Sequence, residues 1–350
     1  MKQINAALCS FGMSGWVFHA PFITCHPGIN LYAVWERSKS LVHEKYPETK
    51  IYRTYEELLS DPAIDLVVVN TPSYTHYDYA KQALLAGKNT LVEKPFTASL
   101  AQAKELNQLA MDHRVKLCVF QNRRYDSDFK TVKSIIDNHW LGEILEAELH
   151  YDRYNLQLSP KAHKETPGPA VGVVYDLGAH LIDQALVLFG MPDKVFADIM
   201  MTRPNSQVDD YFEILLYYPK MRVRLKSGYQ VREPFPSFVI HGSAGSFLKT
   251  RSDVQEADLQ AKKSPKDLDW GIEPESAHGL LHTEKDDKVI REYIPSLRGN
   301  YMELYDGIYQ ALTDHQEMPV TGVDGIRVMT IIEAAKKSSD QKKVIDLHGE

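Results

Sequence analysis

The sequence predicts an α/β chain in two parts, an N-terminal doubly wound parallel sheet and a C-terminal α+β domain with an open, largely antiparallel sheet. Three observations carry that prediction. From Ile4 to about Gln121, short β-rich runs alternate with helical stretches, the rhythm of parallel βαβ units. Directly after the first run, Ser10 to Gly15 forms a glycine-bearing turn that opens a helix. From Val195 to Thr250, longer strand-like runs follow one another across short turns, as antiparallel neighbours do. The change of pattern divides the chain into domains 1–122 and 123–350.

In the first part the strand candidates are Ile4 to Cys9, Asn30 to Glu36, Ile64 to Asn70, Asn89 to Val92 and Val115 to Phe120. The run Asp65 to Asn70 is almost wholly apolar, as a strand covered on both faces must be. Helices are expected over Glu56 to Asp61, Tyr77 to Ala86 and Leu100 to Asp112, the last with Ser99 as its N-cap. In the second part Met221, Val223 and Leu225 alternate with Arg222, Arg224 and Lys226, a half-buried strand. Asp210 to Tyr218 is apolar on both faces, which fits a sheet covered by a second copy of the chain or a central strand of one copy. Arg251 to Lys288 is charged and proline-interrupted, readable as a mobile excursion or a short helix and loop. Ile326 to Lys337 carries Ile326, Met329, Ile332 and Ala335 at helical spacing, an amphipathic helix that closes the domain.

Composition narrows the function. With 350 residues, 25% charged and a formal net charge of -7, the chain is an ordinary globular protein without the basic excess that nucleic-acid binding needs. Neither a basic-then-apolar leader nor an apolar stretch near 18 residues is evident, so a cytoplasmic protein without membrane contact is expected. Cys9, Cys25 and Cys118 are widely spaced, with no Cys-x-x-Cys pair. They read as free thiols of a reducing compartment, and no metal site is expected.

The chemistry-bearing residues stand where parallel sheets place their sites, beyond the carboxyl ends of strands. Ser10-Phe-Gly12-Met13-Ser14-Gly15 matches the dinucleotide turn G-x-G-x-x-G with serine for the first glycine. Gly12 would admit a pyrophosphate, and Gly15 would let the next helix pack closely, as in a Rossmann domain. Glu36 ends the second run and favours NAD by reading a ribose, whereas Arg37 and Ser38 suit the 2′-phosphate of NADP. Both readings stand, with a lean to NADP. Thr71 and Pro72 follow the third run as cofactor contacts. His76 is placed either beside them or as a cap of the next helix. Glu93-Lys94-Pro95 follows the fourth run, putting a cation at the sheet rim, and Asn122 joins the cofactor contacts. Asp176, His180 and Asp183, at i, i+4 and i+7, share one helical face in a segment that leads into the helix Leu181 to Phe189, with apolar residues on the other faces.

The turn at Ser10 to Gly15, Glu93-Lys94-Pro95 and the Asp176-x-x-x-His180 pattern together resemble the Gfo/Idh/MocA family of NAD(P)-dependent oxidoreductases over nearly the whole chain. Ser14 to Pro21, Gln121 to Asp126 and Tyr175 to Gln184 look most like its NADP-linked scyllo-inositol dehydrogenase branch. The resemblance implies that Lys94, Asp176 and His180 form the catalytic group, with Gly12, Gly15, Thr71, Pro72 and Glu93 near the cofactor. It also implies an open C-terminal sheet that mediates homodimers or homotetramers. Ser10 departs from the pattern and is expected to tighten the turn and loosen pyrophosphate binding.

These readings lead to an expected hydride transfer between nicotinamide and a secondary hydroxyl of a polyol or sugar. His180 would serve as base, Asp176 as its orienting partner and Lys94 as the charge beside the developing alkoxide. Arg124, Asp126, Tyr154 and Asp183 are expected to contact the substrate. A nonenzymatic redox sensor and a lyase with tightly held NAD are the alternatives.

Overall fold

The computed structural model describes residues 2–252 and 254–348. Two compact units emerge. The first comprises 1–122, 255–270 and 300–326, and the second 123–254, 271–299 and 327–350. The first unit therefore takes in two segments of the second half, which a division into 1–122 and 123–350 leaves out.

The first unit is built on six parallel strands, β1 (Ile4–Leu8), β2 (Ile29–Trp35), β3 (Lys50–Tyr52), β4 (Leu66–Val69), β5 (Asn89–Val92) and β6 (Leu117–Val119). Their order is β3-β2-β1-β4-β5-β6. Strand order reverses between β1 and β4, and at such a switch point the crevice beyond the strand ends takes a ligand. All four residues of β4 are fully buried, as their apolar run requires. The helix Leu100–Asp112 starts at Ser99, whose side chain accepts from the amide of Gln102 as an N-cap. β3, only three residues long, is absent from the sequence reading because so short a run shows no periodicity.

The returning segments complete this unit's core. Phe22 packs edge-on to Trp270 at 6.0 Å and stacks on Tyr305 at 5.6 Å between centroids. Trp270, Tyr301 and Tyr305 are fully buried there. Burial of these large aromatic surfaces is what ties 255–270 and 300–326 to the parallel sheet.

The second unit carries a nine-stranded sheet made of β7 (Ile144–His150), β8 (Lys194–Met200), β9 (Tyr211–Tyr217), β10 (Arg222–Gly228), β11 (Phe238–Gly242), β12 (Gly245–Lys249), β13 (Gly279–Lys285), β14 (Lys288–Ile294) and β15 (Ile345–Asp346). The order is β14-β13-β12-β11-β7-β10-β9-β8-β15, antiparallel except where β10 runs parallel to β7. Phe212, Ile214, Leu216, Val223 and Leu225 are fully buried on one face. The opposite face sets Tyr217 across from Arg222 and Leu215 across from Arg224, a mixed aromatic and charged surface rather than the second apolar face expected of Asp210 to Tyr218.

Of the two forms expected for segment 251–288, the short helix is present, and a strand follows where loop was expected. The segment holds the helix Val254–Gln260 and then β13, which pairs with β14 across Asp286 and Asp287, both in the left-handed region at φ 52° and 60°. A two-residue turn with both residues at positive φ has the type I′ geometry of a tight hairpin, and aspartate is among the residues that tolerate it. The helix Gly322–Gln341 contains the expected Ile326 to Lys337.

Candidate active site

In the first unit the glycine-bearing turn leaves β1 and enters a helical turn of wide π geometry, Gly15–His19. A β-carbon added at Gly12 would meet nothing within 4 Å, which leaves the exposed backbone open to a pyrophosphate. At Gly15 the same carbon would lie 2.6 Å from the Ser10 carbonyl oxygen, so close packing demands glycine there. Ser10 explains its own departure from the pattern. Its hydroxyl donates to the Asn70 carbonyl at 3.0 Å, its amide donates to the Asn70 side-chain oxygen at 3.0 Å, and the Asn70 side-chain nitrogen donates back to the Ser10 carbonyl at 2.9 Å. The ends of β1 and β4 are thus pinned to each other beneath the turn. Met13 is 52% exposed beside it.

Glu36 does not present its carboxylate outward. Its two oxygens accept from the backbone amides of Leu41 and Val42, each at 3.1 Å, and the residue is buried. Arg53, which the sequence reading passed over, donates to the carbonyls of Glu36 and Lys39 and to the Ser40 hydroxyl. Glu36 braces this loop from inside and Arg53, itself exposed, binds its carbonyls, while Arg37, Ser38 and Lys39 stand exposed on it.

After β4, the Thr71 hydroxyl meets that of Thr75 at 2.8 Å, and the Thr75 hydroxyl donates to the Pro72 carbonyl at 2.7 Å. His76 is the first residue of the next helix, after Thr75 at the N-cap position. Its Nδ1 faces the Pro95 carbonyl at 2.8 Å and its Nε2 the Thr71 carbonyl at 2.9 Å, so it ties the loop after β4 to the one after β5. Burial pulls its pKa below the ordinary 6.5.

Glu93 and Lys94 follow β5, with a cis bond between Lys94 and Pro95. The Glu93 carboxylate accepts from the Ser14 hydroxyl at 2.7 Å, from His19 Nε2 at 3.0 Å and from the Lys94 backbone amide at 3.1 Å. Burial pushes this carboxyl up, but the His19 and Ser14 bonds and the nearby Lys94 charge outweigh burial and hold it below the usual range. Asn122 is buried at the end of this stretch.

In the second unit Asp176 falls inside another π turn, Val174–Gly178, directly before the helix Ala179–Phe189. Such turns concentrate at functional positions. Asp209 secures this one, its carboxylate accepting from the Val174 amide at 2.9 Å. The expected stripe divides by environment. Asp176 is 34% exposed, with Lys164 Nζ at 3.6 Å. His180 is buried. Asp183 is buried and grips Arg124 through two bonds, from Nε at 2.8 Å and from Nη2 at 2.6 Å. Asp126 lies 3.3 Å from Arg123 and 3.9 Å from Arg251, in a buried charge cluster. Tyr154 is 45% exposed, its hydroxyl accepting from Arg232 at 2.5 Å. Of the four residues expected to contact substrate, Arg124, Asp126 and Asp183 are thus held by opposite charges, while Tyr154 stays at the surface. Among the described residues no cluster of three or more His, Cys, Asp or Glu side chains could hold a metal ion.

Comparison with known proteins bears on these features together. Residues 4–121 match the model of the oxidoreductase family NAD-binding Rossmann fold, and residues 133–347 match that family's C-terminal alpha/beta domain. The chain belongs to the Gfo/Idh/MocA oxidoreductase family. Its relatives include scyllo-inositol 2-dehydrogenase (NADP(+)) IolW of Bacillus subtilis, 37% identical over 347 residues, which cover 99% of this chain and 97% of that protein. The Escherichia coli oxidoreductase YdgJ, whose own function is uncharacterized, is 36% identical over 99% of both chains. Among solved structures, a Bacteroides fragilis protein superposes with a TM-score of 0.91 at 45% identity, over 99% of this chain and 100% of its own. Bacillus subtilis YvaA does so with 0.96 at 36%, over 99% of each. As an oxidoreductase of this family the chain has an NAD(P)-binding Rossmann domain, and the open backbone at Gly12 with the tight packing at Gly15 fits a dinucleotide.

Proposed function

We propose that this oxidoreductase interconverts a secondary alcohol and a ketone on a cyclitol or sugar, with a scyllo-inositol-like substrate and NADP as the favoured cofactor. The reading is carried by full-length likeness to an NADP-linked scyllo-inositol dehydrogenase. The inward turn of Glu36 supports NADP, because an acid bonded to Leu41 and Val42 leaves Arg37, Ser38 and Lys39 among the exposed groups of that loop.

A bound nicotinamide ring supplies the hydride acceptor for alcohol oxidation. His180 takes the hydroxyl proton and returns it in the reverse direction, since imidazole titrates near neutrality. Asp176 orients the imidazole, and its partly exposed carboxylate is accessible to a polar ligand. Lys94 offsets the charge of the developing alkoxide.

We further propose that the outward face of β9 and β10 is covered by a second copy in a homodimer or homotetramer and that the protein works in the cytoplasm. Half-buried Tyr211, Leu215 and Tyr217 support the first point. No helix among the described residues is long and apolar enough to cross a membrane. The deciding experiment follows absorbance of the reduced ring with NAD or NADP and a panel of inositols and hexoses. Turnover with NADP and an inositol is expected, and failure with every polyol would remove the reading.

A further inference from the structure

The polar chain that starts at Ser14 does not end at Glu93. His19, fully buried, has Nε2 on Glu93 and its other nitrogen, Nδ1, 2.8 Å from the Tyr305 hydroxyl. That hydroxyl donates onward to the Phe18 carbonyl at 3.1 Å. The Phe120 ring lies against the imidazole at 4.5 Å between centroids, which fixes its tilt. Five residues from three stretches of the first unit therefore form one line: Ser14, Glu93, His19, Tyr305 and Phe18.

We propose that His19 is a positioning residue for the dinucleotide: held between Tyr305 and Glu93, it fixes the carboxylate that in turn holds Ser14 of the glycine-bearing turn and the backbone amide of Lys94. The inference rests on the dinucleotide-binding assignment of that turn and, for its effect on turnover, on the role proposed for Lys94. The physical reason lies in the burial of Glu93, whose side chain is 12% exposed. A carboxylate so enclosed keeps its orientation only while its donors remain in place. The π geometry of Gly15–His19 begins directly after Ser14 and ends on His19, so one turn of backbone carries both donors to the same carboxylate. Besides His19, the titratable groups around Glu93 and Tyr305 are Lys94, His76 and Cys118.

The test is a double-mutant cycle on the full chain, with NADPH as probe and its fluorescence on binding as readout from pH 5 to 8. His19→Ala is expected to weaken NADPH binding by about tenfold, the scale of one lost buried donor. It should also make binding more sensitive to pH, because burial raises the Glu93 carboxyl and the His19 bond is among the interactions that offset it. Glu93→Gln should weaken binding to a similar degree with no such dependence, and adding His19→Ala to it should change little more. His19→Gln, which keeps a donor, should recover part of the loss. If His19→Ala does not fold, Tyr305→Phe and His19→Gln carry the same comparison against Glu93→Gln. Additive effects, or unaltered NADPH binding at every pH beside a lowered melting temperature, would reduce His19 to a packing residue. A wild-type protein that binds NADPH yet oxidises no polyol would refute the proposed reaction while leaving this cycle decisive.

Discussion

Arg124 and Asp183 are locked together by two short bonds in the second unit, with 15% of the arginine side chain and 3% of the aspartate exposed. A pair so enclosed is a structural element, because removing one member strands the other charge away from water. Arg124→Ala should therefore lower unfolding stability by about 3 kcal/mol, read from urea denaturation. An unchanged midpoint with a raised KM would make Arg124 a substrate contact instead.

Lys94 separates chemistry from binding. Lys94→Ala should lower kcat by roughly a hundredfold to a thousandfold, while the Kd for NADPH stays within about twofold of wild type, well under the tenfold that 1.4 kcal/mol represents. Titrations and steady-state kinetics on one preparation check both. Parallel loss of binding and turnover would contradict the role given to its ammonium group.

The loop after β2 predicts cofactor preference. With Glu36 bonded to the amides of Leu41 and Val42, Arg37 stands exposed directly after it in the chain, while the exposed Arg53 is engaged by the carbonyls of Glu36 and Lys39. Arg37→Ala should weaken NADP by about tenfold, equivalent to 1.4 kcal/mol, and leave NAD unaffected. Calorimetric titration with each nucleotide tests this, and equal weakening of both would remove Arg37 from phosphate recognition.

Thiol reactivity should follow burial. Burial pushes the Cys9 thiol up to about 12, outweighing its bond to Tyr55, so at pH 8 it is almost wholly protonated and unreactive. Cys118 is buried as well, whereas Cys25 is partly open. Iodoacetamide at pH 8 should label Cys25 first in the native protein, as peptide mass mapping would show. Early labelling of Cys9 would contradict this packing of β1.

His150 makes part of the second unit's stability depend on pH. Burial lowers its pKa, but bonds to Asp152 at 3.2 Å and Glu148 at 3.0 Å outweigh that and raise it above 6.5. Glu148 is itself held below 4.5, since His150 and Arg224 outweigh its burial. The histidine's contribution is complete below pH 6.5 and is lost as pH rises through the raised folded value. The glutamate's is complete above pH 4.5 and is lost as pH falls through its lowered one. The melting-temperature gap between wild type and His150→Gln should be widest between pH 4.5 and 6.5 and narrow on the alkaline side. A gap that does not change with pH would deny the ion pair.

Local pattern made much of this protein legible before any coordinates. Runs that bury both faces are almost wholly apolar, so β4 stands out in the chain, and a glycine turn after the first run marks where a dinucleotide would lie. Ser99 as a cap and the amphipathic spacing of Ile326, Met329 and Ile332 are equally local signals. The short β3 and the hairpin of β13 and β14 escaped notice, the first for want of length and the second because its strands are charged.

What folding alone could decide is which side chains have each other for partners. Glu36 reads as a ribose ligand in one dimension, and in the fold its carboxylate accepts from the amides of Leu41 and Val42. Arg124 and Asp183, 59 positions apart, close on each other, and Tyr305 reaches His19 across 286 positions. Periodicity reports only the neighbours of a residue along its own helix or strand. Charge pairing and aromatic burial act between segments of any separation, so those partnerships appear only once the chain has packed.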